Sequence, residues 1–310
     1  MTDTIHGIGI RGHDPGSAGS ATSIVPGDVP VRREVSGPPG GRVLVGVDGS
    51  EHSLRALEIA AADAARRDAV LEVLCGWPWD REPGPAGRSA ESGRMRYRAT
   101  RAVVEEAANR ARAYHPGLRV VSSLTTESAP RALVHFGRSA ALTVVGARGY
   151  GGFAGLLIGS VSLRVASHTE GPLLVVRREP PRLSGPGTVL VGVESEADTD
   201  AVAFGFEEAR RRGARLRLLH AWPHTEDGDT AEEVPRLAAA PFRDAHPRTV
   251  VQPVHVTGRP APVLVEASRT ASVLILAAHR RPRRLGLRLG PVTHAVLQHA
   301  HCPVLLVPVT

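Results

Sequence analysis

Arg42-Val-Leu-Val-Gly-Val47-Asp-Gly-Ser50 is the stretch on which the fold turns. Its apolar run has no polar alternation, which marks a strand covered on both faces, and both faces are covered in parallel sheets. Asp-Gly-Ser then breaks the strand, and Leu54, Leu57, Ala61 and Ala65 follow at helical spacing, with Ser50 placed as the N-cap. The same opening returns 146 positions later as Thr188-Val-Leu-Val-Gly-Val193-Glu-Ser195. A second echo pairs Leu74-Cys-Gly-Trp77-Pro78 with Leu219-His-Ala-Trp222-Pro223, so the chain is a tandem repeat. Near the ends, Gly159 matches Gly290 and Pro172-Leu-Leu-Val-Val176 matches Pro303-Val-Leu-Leu-Val307, now at an offset of 131. The second copy is therefore 15 residues shorter between its second and third strands.

Working outward, copy one places short apolar strands near 42–47, 70–75, 119–124, 141–146 and 172–177, separated by helical segments such as 96–114. Copy two repeats them near 188–193, 214–220, 249–256, 272–277 and 303–308. Buried strands alternating with amphipathic helices and joined by right-handed crossovers predict an α/β fold: two tandem, doubly wound, five-stranded parallel-sheet domains. The expected boundaries are 42–178 and 188–310. Glu179-Pro-Pro-Arg-Leu-Ser-Gly-Pro-Gly187 reads as the linker between them. Residues 1–41 hold nine Gly and five Pro without periodicity and are expected to be a disordered tail, because they cannot bury enough apolar area to offset the entropy of ordering.

Composition removes several function classes. All 38 basic residues are Arg, so a Walker-A lysine, a Schiff-base lysine and a lysine general base are excluded. No apolar run reaches the ~18 to 20 residues that cross a bilayer, and the first twenty residues lack a charged-then-apolar signal layout. A soluble cytoplasmic protein is expected. Cys75 and Cys302 stand far apart in apolar stretches and read as buried thiols. The net charge of +7 raises nucleic acid as a partner, but the arginines are interleaved with acids and aromatics for base stacking are few, which disfavours it.

In a doubly wound sheet a ligand sits at the carboxyl ends of the strands, so the segments after Val47 and Val145 are the places for a site. The second reads Gly146-Ala-Arg148-Gly149, then nine residues, then Gly159-Ser160-Val161-Ser162 at a helix start. Glycines admit close backbone approach, and a helix N-terminus offers N–H donors and a favourable dipole to an anion. With hydroxyls at Ser160 and Ser162, phosphate is the natural guest. No Ser-His-Asp, Cys-His or paired-carboxylate arrangement follows from the spacing, and Ser160 is not in a Gly-x-Ser-x-Gly elbow.

These residues resemble the tandem form of the universal stress protein family, from about residue 42 to the end. Nucleotide-binding members carry Gly-x2-Gly-x9-Gly-Ser/Thr, which stands here as Gly146, Gly149, Gly159 and Ser160. The resemblance implies a fold like that of the adenine nucleotide alpha hydrolases and ATP as ligand, with or without Mg2+. It implies that Gly146, Arg148, Gly149, Gly159, Ser160, Val161 and Ser162 surround the phosphates and ribose. Asp48 would approach the ribose and adenine side. The expected function is non-catalytic: nucleotide held in domain 1 regulates contact with a protein partner during stress. Two alternatives stand beside it, a nucleotide-free scaffold and a slow ATP hydrolase, the latter needing a base and a metal that the sequence does not supply.

Copy two departs where it matters. Gly146 becomes Ala277, Gly149 becomes Arg280, Ser160 becomes Pro291 and Asp48 becomes Glu194, so domain 2 is expected to have lost the nucleotide. Arg280, Arg281, Arg283, Arg284 and Arg288 read as a solvated basic loop, and His294, His299 and His301 as ordinary histidines near a helix end. The pattern Gly149-Tyr-Gly151-Gly-Phe-Ala154 follows a fourth strand, so it is no dinucleotide fingerprint. Both copies end in an apolar strand, which needs a cover at a sheet edge. In the resembled family such strands pair antiparallel across a twofold axis. Here that implies a pseudo-symmetric pair within one chain, leaving other surfaces for a homodimer.

Overall fold

The computed structural model describes residues 41–76, 86–149, 158–177, 187–222, 228–279 and 289–309, with side chains omitted at 86–92 and 228–232. The tail before Gly41, most of the linker, the arginine run and the loop between Gly149 and Ile158 lie outside the described residues. The first half runs β1 (Arg42–Gly46), α1 (Glu51–Arg67), β2 (Val70–Gly76), α2 (Ala86–Tyr114), β3 (Val120–Thr125), α3 (Ala129–Gly137), β4 (Leu142–Gly146), α4 (Ser160–His168) and β5 (Leu173–Val176). The second half runs β6 (Thr188–Gly192), α5 (Thr199–Arg212), β7 (Arg215–Trp222), α6 (Gly228–Arg243), β8 (Val251–Thr257), α7 (Pro260–Ala267), β9 (Val273–His279), α8 (Pro291–His299) and β10 (Val304–Val309).

All ten strands join one sheet, in the order β3-β2-β1-β4-β5-β10-β9-β6-β7-β8. Within each half the pairing is parallel, the doubly wound pattern expected from the alternation of apolar strands and helices. The halves meet where β5 and β10 pair antiparallel, with Val175 opposite Val304, Leu174 opposite Leu305 and Leu173 opposite Leu306. Those strands would otherwise be apolar edges with unpaired backbone groups, and each supplies the other's cover.

Strand alternation splits the core in two. Val43, Val45, Leu71, Val73, Leu174 and Leu305 face α1, α2, α5 and α6, whereas Leu44, Val145, Val175, Leu190 and Leu306 face α3, α4, α7 and α8. Helix α1 lies close on the sheet through Ala56, Ala60, Ala61 and Ala64, all fully buried. Its partner α5 achieves the same approach with Gly205, where a Cβ would stand 2.6 Å from Val191 Cγ2.

The helix α2 reaches back to Ala86, longer than the segment 96–114 read from its periodicity. Its first turns carry Gly87, Gly93 and a cluster of arginines rather than an apolar stripe, so the period that marks a packed helix begins only near Val103 and Val104. Helix α6 has 16 residues against 29 in α2, which accounts for most of the shortening of copy two.

A buried ionic cluster sits over the seam. Arg67 of α1 binds Glu208 of α5, and Arg212 of α5 binds Asp63 of α1, each carboxylate being 1% exposed. Asp63, Arg66 and Arg67 recur as Glu208, Arg211 and Arg212 at an offset of 145, so the cluster follows the repeat. Arg66 Nη2 donates to Asp63 Oδ1 at 2.7 Å and Arg212 Nε to Glu208 Oε2 at 2.9 Å, so each carboxylate is held by its own helix as well as by its neighbour.

Candidate functional site

The site at the carboxyl ends of β1 and β4 is assembled by two loops that touch. After β1, Asp48 Oδ1 accepts from the Ser50 N–H at 3.0 Å and from its hydroxyl at 2.6 Å, an Asx turn that sets up the helix start. Ser50 then caps α1, accepting from the Ser53 N–H at 3.3 Å, as the Asp-Gly-Ser break implied. Ser53 closes the loop: its Oγ accepts from the Asp48 N–H at 3.3 Å and donates to the Ser50 carbonyl at 2.9 Å.

The segment after β4 rests directly on this turn, and that contact explains both of its first glycines. A Cβ on Gly146 would stand 2.6 Å from the His52 carbonyl oxygen, and one on Gly149 would stand 2.2 Å from Asp48 Oδ2. Neither has positive φ. The need for glycine here is close approach within the protein, with Gly149 passing over the Asp48 carboxylate. Ser162 is likewise committed: it is buried, and its Oγ donates to the Gly146 carbonyl at 2.6 Å, strapping α4 to the end of β4. Its hydroxyl proton is therefore spent on the fold and not offered to a ligand, contrary to the reading of Ser162 as a phosphate donor.

Gly159 begins α4 with extended backbone and no side-chain cap, and its N–H donates to the Ala147 carbonyl at 2.6 Å. The first backbone bond inside the helix comes from the Leu163 N–H. The N–H groups of Ser160, Val161 and Ser162 thus have no backbone acceptor among the described residues, and Ser160 and Val161 are exposed. Arg148 stands half-buried between the two loops, with no ion-pair partner among the described residues. So Asp48, Arg148, Gly149 and Gly159 lie together, with Ser160 and Val161 exposed at the helix start that follows and Gly146 and Ser162 beneath as the frame.

Two titratable groups that the sequence did not single out stand near Asp48. His52 is held below the ordinary histidine range, first by burial and then by Arg55 and Arg148. Cys75, at the end of β2, is pushed up to about 11 by burial and by Asp48, which makes it an inert thiol. Cys302 is buried and pushed up to about 12 by burial.

Domain 2 is built differently at the equivalent strand ends. Asp198, 1% exposed, accepts from the Glu194 N–H at 2.6 Å through Oδ2, and its Oδ1 lies 2.9 Å from His279 Nε2. Helix α8 begins with Pro291, which has no N–H and no hydroxyl. Further along the strand ends, His220 is fixed to the Val193 carbonyl at 2.9 Å and stacks between Trp222 and His255, at 5.9 and 5.7 Å between ring centroids. Cys75 and Leu124 occupy the matching register in domain 1. Among the described residues no group of three His, Cys, Asp or Glu is placed to hold a metal, His294 and His299 included. No helix of the described residues is long and apolar enough to cross a membrane.

The model of the universal stress protein family matches residues 41–177 and again 186–308. A universal stress protein of Mycobacterium tuberculosis is 32% identical over 302 residues, covering 85% of this chain and 94% of that protein. Among solved structures, a universal stress protein from Archaeoglobus fulgidus superposes with a TM-score of 0.68 at 18% identity, covering 87% of this chain and 98% of its own, a likeness of fold. A universal stress protein crystallised in complex with cAMP is 31% identical over a stretch covering 44% of this chain and 97% of its own, with a TM-score of 0.36. With one match for each half of the ten-stranded sheet, the chain belongs to the universal stress protein family and carries that family's domain twice.

Proposed function

We propose that domain 1 binds an adenine nucleotide, ATP in the first place, without catalysing its hydrolysis, and that occupancy regulates contact with a protein partner. The observation that carries this reading is the contrast between the two helix starts. Helix α4 presents the N–H groups and hydroxyl of Ser160 next to Arg148, whereas α8 begins at Pro291, and His279, the counterpart of Arg148, lies against Asp198. Backbone N–H groups at a helix start, a hydroxyl and a guanidinium are the donor set of a phosphate site.

Asp48, exposed at the rim, supplies a carboxylate to the ribose side. The residues at the opening bind and orient. None is a general base with a defined substrate proton, and His52 is held below the ordinary histidine range by burial and by Arg55 and Arg148. Mg2+ would enter on the phosphates, because the described residues offer no three-ligand metal cluster. Location in the cytoplasm belongs to the same proposal.

The test is a thermal melt of the whole chain with and without 1 mM ATP, on the order of a hundred dissociation constants for a site of ~10 μM, followed by chromatography of the nucleotide. A higher melting temperature and intact ATP support the proposal. An unmoved melting temperature supports the nucleotide-free scaffold, and accumulating ADP supports a hydrolase.

A further inference from the structure

The two domains differ in what lies opposite the side chain that follows the fourth strand of each half. Strand register places His279 after β9 where Arg148 stands after β4, since Val273 takes the place of Leu142 beside the first strand of each half. The bond from the Glu194 N–H to Asp198 repeats the bond from the Asp48 N–H to Ser53, so Asp198 stands where domain 1 has Ser53. In domain 2 the side chain in this place, His279, lies with Nε2 2.9 Å from a buried carboxylate, that of Asp198. In domain 1 the place of that carboxylate is taken by the Ser53 hydroxyl, which has no charge and already donates to the Ser50 carbonyl.

One residue earlier, His52 has a buried Nδ1 with no hydrogen-bond partner among the described residues. The groups that face this imidazole are Glu51 and Arg55 on α1, Asp48 after β1 and Arg148 after β4. Burial and the two arginines outweigh the two acids, so the ring is neutral at pH 7 while the opening holds no anion. An orphaned ring nitrogen and a guanidinium with no ion pair among the described residues stand at the start of a 17-residue helix, the end of a helix that favours an anion.

We propose that a phosphate of the ligand is held between His52 and Arg148, and that His52 takes a proton from water as the phosphate enters. The proposal rests on the nucleotide reading of domain 1 and adds how the site reads charge along the phosphate chain. The phosphate does for Arg148 what Asp198 does for His279. It also reverses the field on His52, turning a ring that repels a proton into one that holds it. Binding then tightens as pH falls, and more charge on the phosphates means tighter binding.

The experiment is calorimetry on the full chain with ATP and with AMP, in two buffers of different ionisation enthalpy, between pH 6.5 and 8.5. The wild type should take up more protons per ATP than His52→Gln, a difference from which the titration of ATP itself cancels. Its ATP affinity should also fall more steeply with rising pH. Ser53→Asp, which gives Arg148 the partner His279 has, should weaken ATP roughly tenfold or more, the loss of a charge-assisted contact, and weaken AMP less. If Ser53→Asp fails to fold, Arg148→Gln carries the same expectation. Equal proton uptake by wild type and His52→Gln, with ATP bound normally, overturns this inference and leaves the nucleotide reading standing. Failure of the wild type to bind either nucleotide overturns both.

Discussion

The guanidinium of Arg212 on α5 reaches across the domain seam to Asp63 on α1, its Nη2 lying 3.2 and 3.3 Å from the two carboxylate oxygens. Arg67 returns the contact to Glu208, so the two domains exchange ion pairs above the antiparallel joint of β5 and β10. A charge exchanged inside a protein has excellent partners or is costly, and here every member has at least one.

Removing one member should therefore destabilise more than a surface ion pair would. Arg212→Ala leaves Asp63 and Glu208 buried with fewer donors, and a loss of about 3 kcal/mol is expected, the low end for breaking a buried pair because Arg66 and Arg67 remain. Urea unfolding at pH 7 checks this. A loss below about 1 kcal/mol, typical of exposed pairs, would show the cluster to be incidental.

The same cluster sets an acid limit. Burial raises the Asp63 pKa, but Arg212, Arg66 and Arg67 outweigh it and hold the carboxyl below its usual value. A depressed carboxyl contributes stability that is fully present above its unfolded pKa, about 3.9, and is lost as pH falls through the folded value. Urea midpoints should thus be insensitive to Asp63 between pH 7 and about 5 and should fall below about pH 4. In Asp63→Asn that part of the acid dependence should disappear, and an unchanged acid limb would refute the assignment.

Ser160 separates folding from binding. Ser160→Ala keeps the helix N–H and loses one hydroxyl donor, so ATP affinity should fall by up to about tenfold, the equivalent of ~1.4 kcal/mol. Ser160→Pro should fold normally, since Pro291 occupies the matching position at the start of α8, yet it removes the N–H and the hydroxyl together and should nearly abolish binding. Circular dichroism and titration of the two variants give the answer. Wild-type affinity in both would move the site elsewhere.

The architecture was legible because its causes are local and periodic. Arg42–Val47 and its copy at Thr188–Val193 give the strand type, the offsets give the duplication, and the apolar terminal strands foretell the joint of β5 and β10. For the candidate site, the sequence brings the two loops to the same strand ends, but it says less about what each residue touches. Gly146 and Gly149 were read as room for a ligand, whereas their hydrogens face the His52 carbonyl and Asp48. The Ser162 hydroxyl, a phosphate donor by its position in the sequence, donates to the Gly146 carbonyl. Such roles depend on which atom lies opposite, and spacing along one chain does not hold that information.

The residues missed altogether were detectable from the repeat. Asp63-x3-Arg67 and Glu208-x3-Arg212 are the same pattern at an offset of 145, an acid four residues before a base on two equivalent helices. Aligning the copies for charge as well as for glycines would have marked the cluster. His52 had no such signal, because its significance comes from Arg148, which is distant in sequence.

The central claim is that one domain of the two holds the nucleotide, and equilibrium dialysis of ATP against the whole chain tests it most directly. The account predicts one equivalent per chain, lost in Gly149→Arg, where a side chain would be driven into Asp48 and the phosphate opening. Two equivalents, or one that persists in Gly149→Arg, would contradict it.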